Sequence, residues 1–245
     1  MKSFSNTYIF IFSTVMVTIV AVLLSFVSEQ LRPIQEKNVE VEKKLDILRS
    51  VGEAKNLSEV KKKDEYVEDE YNKFITGSFV INAAGEMQEG IDAFQVNMKE
   101  ELTKPKADRN LPIFMYTAGD STNKYVIPLR GRGLWGPIWG YVSFYDDFNT
   151  IYGAIFAHSK ETPGLGAEID QSWFQQQFIN KTIFDENANF VSVKVIKGGA
   201  RPDDMHGVSA ISGGTITSTA LQNMLMECLD NYVDYFQNVK LNKNE

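Results

Sequence analysis

The sequence predicts an α+β protein, with one N-terminal transmembrane helix followed by a domain of largely antiparallel sheet and flanking helices. Three observations carry this. Residues 8–27 (YIFIFSTVMVTIVAVLLSFV) run for twenty positions without a charge. Short β-rich runs separated by glycine fill the middle of the chain. An apolar stripe at three- and four-residue spacing closes it.

Each element follows in order. At 1.5 Å per residue, residues 8–27 reach roughly 30 Å as a helix, the depth of a bilayer core. A cleaved signal peptide would have a shorter apolar core ending in small residues, whereas this run is long and ends FVSEQ, so a retained anchor is predicted. Lys2 precedes the run; Glu29, Arg32, Glu36 and Lys37 follow it, and the count of basic residues barely favours either orientation. A lone N-terminal anchor with a large body behind it places residues 1–7 in the cytoplasm and the body outside. Pro33 either stops this helix or opens the next. In residues 34–51, Val41, Leu45, Leu48 and Val51 form one apolar stripe, with Gly52 as the cap. Charges dominate 56–74, a solvated surface, so 28–75 reads as a helical stalk and lead-in to a domain at 76–245. Strands are predicted at 78–82, 123–129, 138–145, 151–156 and 190–196, with a helix near 170–179. In the final helix Leu221, Leu225, Cys228, Leu229, Tyr232, Val233 and Phe236 share one face, and Thr217 or Ser218 is its natural N-cap. Cys228 on that face is a packing residue.

Composition excludes several function classes. Of 245 residues 43% are hydrophobic, enough for a core, and the net charge of −7 offers no basic face for nucleic acid. One cysteine forms no intrachain disulfide, and with two histidines it gives no zinc or iron–sulfur ligand set. Redox chemistry on this chain needs an organic cofactor.

The segment 212–219 (SGGTITST) sets two glycines among hydroxyl residues at the mouth of the last helix. Unpaired amides and a positive dipole end make such a place an anion site; a plain turn and cap fits the same residues. The text around it decides. Ser212-Gly213-Gly214-Thr215, continued by Ile216-Thr217-Ser218, resembles the SGATxTS signature of the FMN-binding domain family of membrane redox complexes. Residues 158–169 (HSKETPGLGAEI) resemble that family's HKETPGLG element. The anchor and the DILRSVG lead-in bring the chain nearest to the C subunits of sodium-pumping NADH:quinone reductases, with the G subunits of Rnf complexes as near relatives.

The resemblance implies FMN joined to Thr215 by a phosphoester, attached by a separate flavin transferase that uses FAD and releases AMP. Thr217 and Thr219 are the rival acceptors by chemistry alone. It also implies an electron-transfer subunit with no catalytic residues of its own, in a bacterial inner-membrane complex that oxidises NADH, reduces quinone and pumps sodium. Membrane lipid and the other subunits are the implied partners. Ser212, Gly213, Gly214 and Thr217 would surround the phosphate. Glu161, Thr162, Gly164, Leu165 and Trp135 would line the ring. Arg130 and Arg132 either offset phosphate charge or solvate a turn, Trp139 is as well suited to the core as to the site, and His158 reads as structural. Gly214 stands where the family has alanine, and Ser209 stands where an acid is frequent, which puts the efficiency of attachment in question. Asp203 and Asp204 are the alternative acids. The other class of function open to this sequence is a membrane-anchored sensor or interaction module that keeps the fold without electron transfer.

Overall fold

The structure, a computed structural model, describes residues 5–243 except 56, 118, 120 and 121; Lys2 lies outside the described residues. The chain divides into two compact units, Met1–Lys43 and Lys44–Glu245.

Helix α1 (Asn6–Ser50) runs through Pro33, where the sequence suggested a break. The proline forfeits one hydrogen bond, to the Glu29 carbonyl, and the long helix on both sides supplies the remaining ladder. Residues 5–40 are exposed, the apolar 8–27 among them, and mean hydropathy reaches 2.6 over 18 residues. The helix ends as predicted on Gly52, at φ +80. Glu53 N donates to Leu48 O (2.9 Å) and Gly52 N to Arg49 O (3.0 Å), the bond pair of a Schellman end.

In the second unit, Leu45, Ile47, Leu48 and Val51 are buried, as is Val67 of α2 (Lys63–Phe74), and Ile47 and Val51 share a core with Tyr71 and Phe74 of that helix. A six-stranded antiparallel sheet follows in the spatial order β2-β1-β3-β4-β5-β6. Its strands are β1 (Ile75–Ile81), β2 (Met87–Gln88), β3 (Leu111–Thr117), β4 (Asn123–Arg132), β5 (Pro137–Phe144) and β6 (Ile151–His158), with α3 (Met98–Glu101) between β2 and β3. After β6 come α4 (Ser172–Gln175), a parallel pair β7 (Lys194–Ile196) and β8 (Gly207–Ser209), then α5 (Thr215–Leu229) and α6 (Val233–Lys243).

Both faces of the sheet are covered, and the period-2 alternation of strand side chains sorts them. Ile81, Ile113, Ile127 and Val142 point into the core under α5, with Leu221, Leu225, Leu229 and Phe236. Their neighbours Val80, Phe114, Val126 and Tyr141 point into a second core closed by Ile47 and Val51. The sequence assigned no strand to 111–117, yet β3 lies between β1 and β4. The predicted strand 190–196 shortens to β7. Ser192 takes φ +57, and the amides of Val191 and Ser192 both donate to the Ile183 carbonyl, which ends the extended run. The helix predicted near 170–179 is a chain of single turns, with α4 flanked by 3₁₀ segments Gly166–Asp170 and Gln176–Phe178.

Candidate functional site

Helix α5 starts at Thr215 because two glycines turn the chain there. Gly213 takes φ +75, a region closed to most side chains, and Gly214 forms the N-cap. Gly214 N donates to Ile211 O (3.1 Å), and the first helical bond runs from Ser218 N to Gly214 O (2.9 Å). No side chain caps the helix. The sequence placed the cap at Thr217 or Ser218, but both lie buried inside the first turn. Their hydroxyls face the packing instead, and Ser218 Oγ accepts from Ile211 N (3.2 Å). The leading amides of α5 therefore keep no intrahelical partner, and the positive end of the helix lies beside exposed Ser212 and Thr215.

The two elements separated by some fifty residues in sequence meet at Glu161. Its carboxylate is 4% exposed. Oε2 accepts from Thr217 Oγ1 (2.6 Å), and Oε1 accepts from Trp135 N (2.9 Å). Glu161 N donates to His158 Nδ1 (3.2 Å), and His158 Nε2 lies 3.4 Å from Asp170 Oδ2, so His158 is structural. The turn beyond is open. The Thr162 carbonyl accepts from Leu165 N and Ala167 N, both at 3.1 Å, and Thr162, Gly164 and Leu165 are exposed. Leu165 leans on the α5 loop closely enough that a Cβ on Gly213 would lie 2.5 Å from its Cδ2. Leu165 remains 42% exposed and Trp135 62%. Sequence reasoning read Glu161 as one member of a ring-lining turn; its burial and its two bonds to distant segments carry no local sequence signal.

A groove of about 480 Å³ runs along α5 from Thr215, lined by Gly131, Arg132, Ile216, Asn223 and Glu227 among others. Arg132 thus lies on the Thr215 side of β4. Arg130 is half-buried, with its backbone bonded to Cys228 Sγ. Trp139 is half-buried on β5, opposite Arg130. Thr219 is exposed, and its hydroxyl donates to Thr215 O (3.0 Å). Ser209 Oγ accepts from Ala200 N, Asp203 pairs with Arg201, and Asp204 accepts from His206 N. Among the described residues no group of three or more His, Cys, Asp or Glu is placed to hold a metal.

These features suit a phosphorylated flavin. An exposed hydroxyl stands at a helix start with unpartnered amides, a cation lies along the adjoining groove, and two exposed apolar side chains offer faces to a planar ring.

The FMN-binding domain family matches residues 133–230. The C subunit of the Na(+)-translocating NADH-quinone reductase of Vibrio vulnificus is 30% identical over 211 residues, covering 83% of this chain and 82% of that protein. The protein of the same name from Neisseria meningitidis serogroup B is 29% identical over 249 residues, covering 97% and 95%. Among solved structures, the corresponding protein from Parabacteroides distasonis superposes with a TM-score of 0.73 at 40% identity, covering 84% of this chain and 96% of that one. NqrC of Shewanella oneidensis gives 0.68 at 23% identity, covering 82% and 98%.

Proposed function

This chain belongs to the family of C subunits of Na(+)-translocating NADH-quinone reductases, and from that premise we propose that it carries FMN on Thr215, outside the cytoplasm. It is an electron-transfer subunit of a complex that oxidises NADH, reduces quinone and translocates sodium, and the other subunits of that complex are its partners. The observation that carries the assignment of Thr215 is the contrast between two threonines. Thr215 is exposed at the head of α5, whereas Thr217 is 2% exposed and its hydroxyl is committed to Glu161.

Bound FMN supplies the electron chemistry that no side chain here possesses. The chain's part is to hold and orient it. Thr215 Oγ would hold the FMN phosphoryl group as a phosphoester, with FAD as the donor and AMP as the leaving group of a reaction that a separate flavin transferase would catalyse. A free threonine hydroxyl is too weak a nucleophile to act unaided. Ser212, Gly213 and Gly214 shape the loop around the remaining phosphate charge, which the leading amides of α5 stabilise and Arg132 offsets. Trp135 and Leu165 would flank the ring, and the amides of exposed Thr162 and Gly164 would serve its carbonyls. The complex works in the bacterial inner membrane. Residues 8–27 cross the lipid once, 1–7 stay cytoplasmic, 28–75 lead into the domain, and 76–245 form the periplasmic FMN-binding domain.

In a host with flavin transferase the denatured wild-type band should fluoresce, Thr215→Ser should retain part of that signal, and Thr215→Ala should lose it. A fluorescent Thr215→Ala band would move the linkage to another residue. A colourless wild-type protein would favour an anchored sensor or interaction module.

A further inference from the structure

Resting on the reading that Thr215 carries FMN, we propose that Glu161 is the positioning residue of this site, setting the seat of the flavin through Thr217 and Trp135 without touching the ring. Its two oxygens serve two different segments. Oε2 holds the first turn of α5 at Thr217, and Oε1 holds the loop between β4 and β5 at the Trp135 amide. The backbone of Glu161 is itself tied to the end of β6 through His158 Nδ1. One residue thus links the three segments around Thr215.

The enclosure is built to fit. A Cβ on Gly133 would lie 2.5 Å from Oε1, and one on Gly166 would lie 2.5 Å from Oε2. A larger residue at either place would force the carboxylate or its neighbours, Ile138 at Gly133 and Thr217 at Gly166, to shift. Among the described residues no cation pairs with Glu161, so its hydrogen bonds alone offset the cost of burial. At 4% exposure, with each oxygen already accepting a hydrogen bond from the protein, Glu161 is turned away from a surface ligand. What it fixes is the placement of Thr217, two positions past Thr215, relative to Trp135. The same bond occupies the hydroxyl of the rival acceptor.

The test uses the full-length chain in a host with flavin transferase. Glu161→Gln removes the charge and keeps one acceptor oxygen for the Trp135 amide, while its NH2 group can only donate to Thr217 Oγ1, reversing the Thr217 bond. Thr217→Val removes the donor, and Thr217→Ser retains it. We expect peptide mapping to find flavin on Thr215 in all of them. Glu161→Gln and Thr217→Val should shift the flavin midpoint potential in the same direction, and the double variant no further than the larger single shift, as coupled residues behave. Thr217→Ser should restore the wild-type potential. Independent of any flavin, hydrogen exchange at the Trp135 amide in a Thr215→Ala background should speed up on adding Glu161→Ala, with melting curves confirming that the chain is folded. Additive shifts, or a silent Thr217→Val beside an active Glu161→Gln, would mean that Glu161 acts on the ring directly and overturn the proposal. Lower melting temperatures with unchanged potentials would overturn it too. Absence of flavin from wild-type Thr215 would refute the linkage rather than the clamp; the exchange measurement then decides the clamp, and unchanged exchange sinks it.

Discussion

Thr215 and Thr217 have the same side chain, stand two positions apart in the same turn of α5, and differ in what their hydroxyls face. Thr217 points at the Glu161 carboxylate, and Thr215 points outward. Chemistry by residue type cannot separate them, because the distinction is made by a partner 56 positions away. Trp135 and Leu165 are expected to tune the flavin rather than hold it, since a covalent tether already keeps the local concentration high. Trp135→Ala and Leu165→Ala should leave flavin content near wild type and shift the midpoint potential in a redox titration. An unchanged potential in both would place the ring elsewhere. Cys228 makes a separate prediction. Burial pushes its thiol up from 9.0 to about 11, with the Arg130 amide pulling it back. A group whose pKa is raised on folding contributes stability below its unfolded value and loses it as pH climbs through the folded one. Melting temperature should therefore fall between pH about 9 and 11, and less so in Cys228→Ala. Equal slopes in the two proteins would remove Cys228 as a cause.

At the scale of elements, α5 is the part most readable in advance. Leu221, Leu225, Cys228 and Leu229 repeat at helical spacing, and all are buried against the sheet. Truncating Leu225 to alanine should cost about 2–5 kcal/mol in denaturant unfolding, and a cost below about 1 kcal/mol would mean that α5 is loosely docked. β4 and β5 were legible from their β-rich runs and the glycines around them, although residues 126–129 and 140–144 are buried throughout. β3 was not. Residues 111–117 read LPIFMYT, a continuous apolar run with an early proline. A strand covered on both faces loses the alternation that marks strands, and proline argues against one. Here Pro112 sits at the second position of the strand, and its carbonyl accepts from Tyr232 OH (3.1 Å). The overreach at 190–196 has the opposite cause. FVSVKVI alternates well, but the positive φ of Ser192 is a tertiary choice that alternation does not report. The N-cap expected at Thr217 or Ser218 lies three or four residues past the observed one, Gly214, because hydroxyl residues are good caps in general and these hydroxyls are claimed by Glu161 and Ile211.

For the molecule as a whole, the sequence conveyed the order of parts: a charge-free anchor, a charged lead-in, and a sheet domain closed by a helix. It did not convey that residues 44–51, near the end of α1, fold into the core of the second unit. That depends on contacts with strands far along the chain. Two predictions belong here. The membrane-bound protein should keep its N-terminus, and a start near Ser28 on N-terminal sequencing would contradict a retained anchor. An impermeant lysine reagent applied from the periplasmic side should label the domain, and labelling only from the cytoplasmic side would reverse the orientation. The central claim, a covalent FMN on the head of α5, is tested most directly by mass mapping of peptides from the mature, membrane-extracted protein. The peptide containing residues 212–219 should carry one added FMN phosphoryl group, with fragmentation placing it on Thr215. An unmodified peptide in a host with active flavin transferase, or a modification on Thr217 or Thr219, would contradict it.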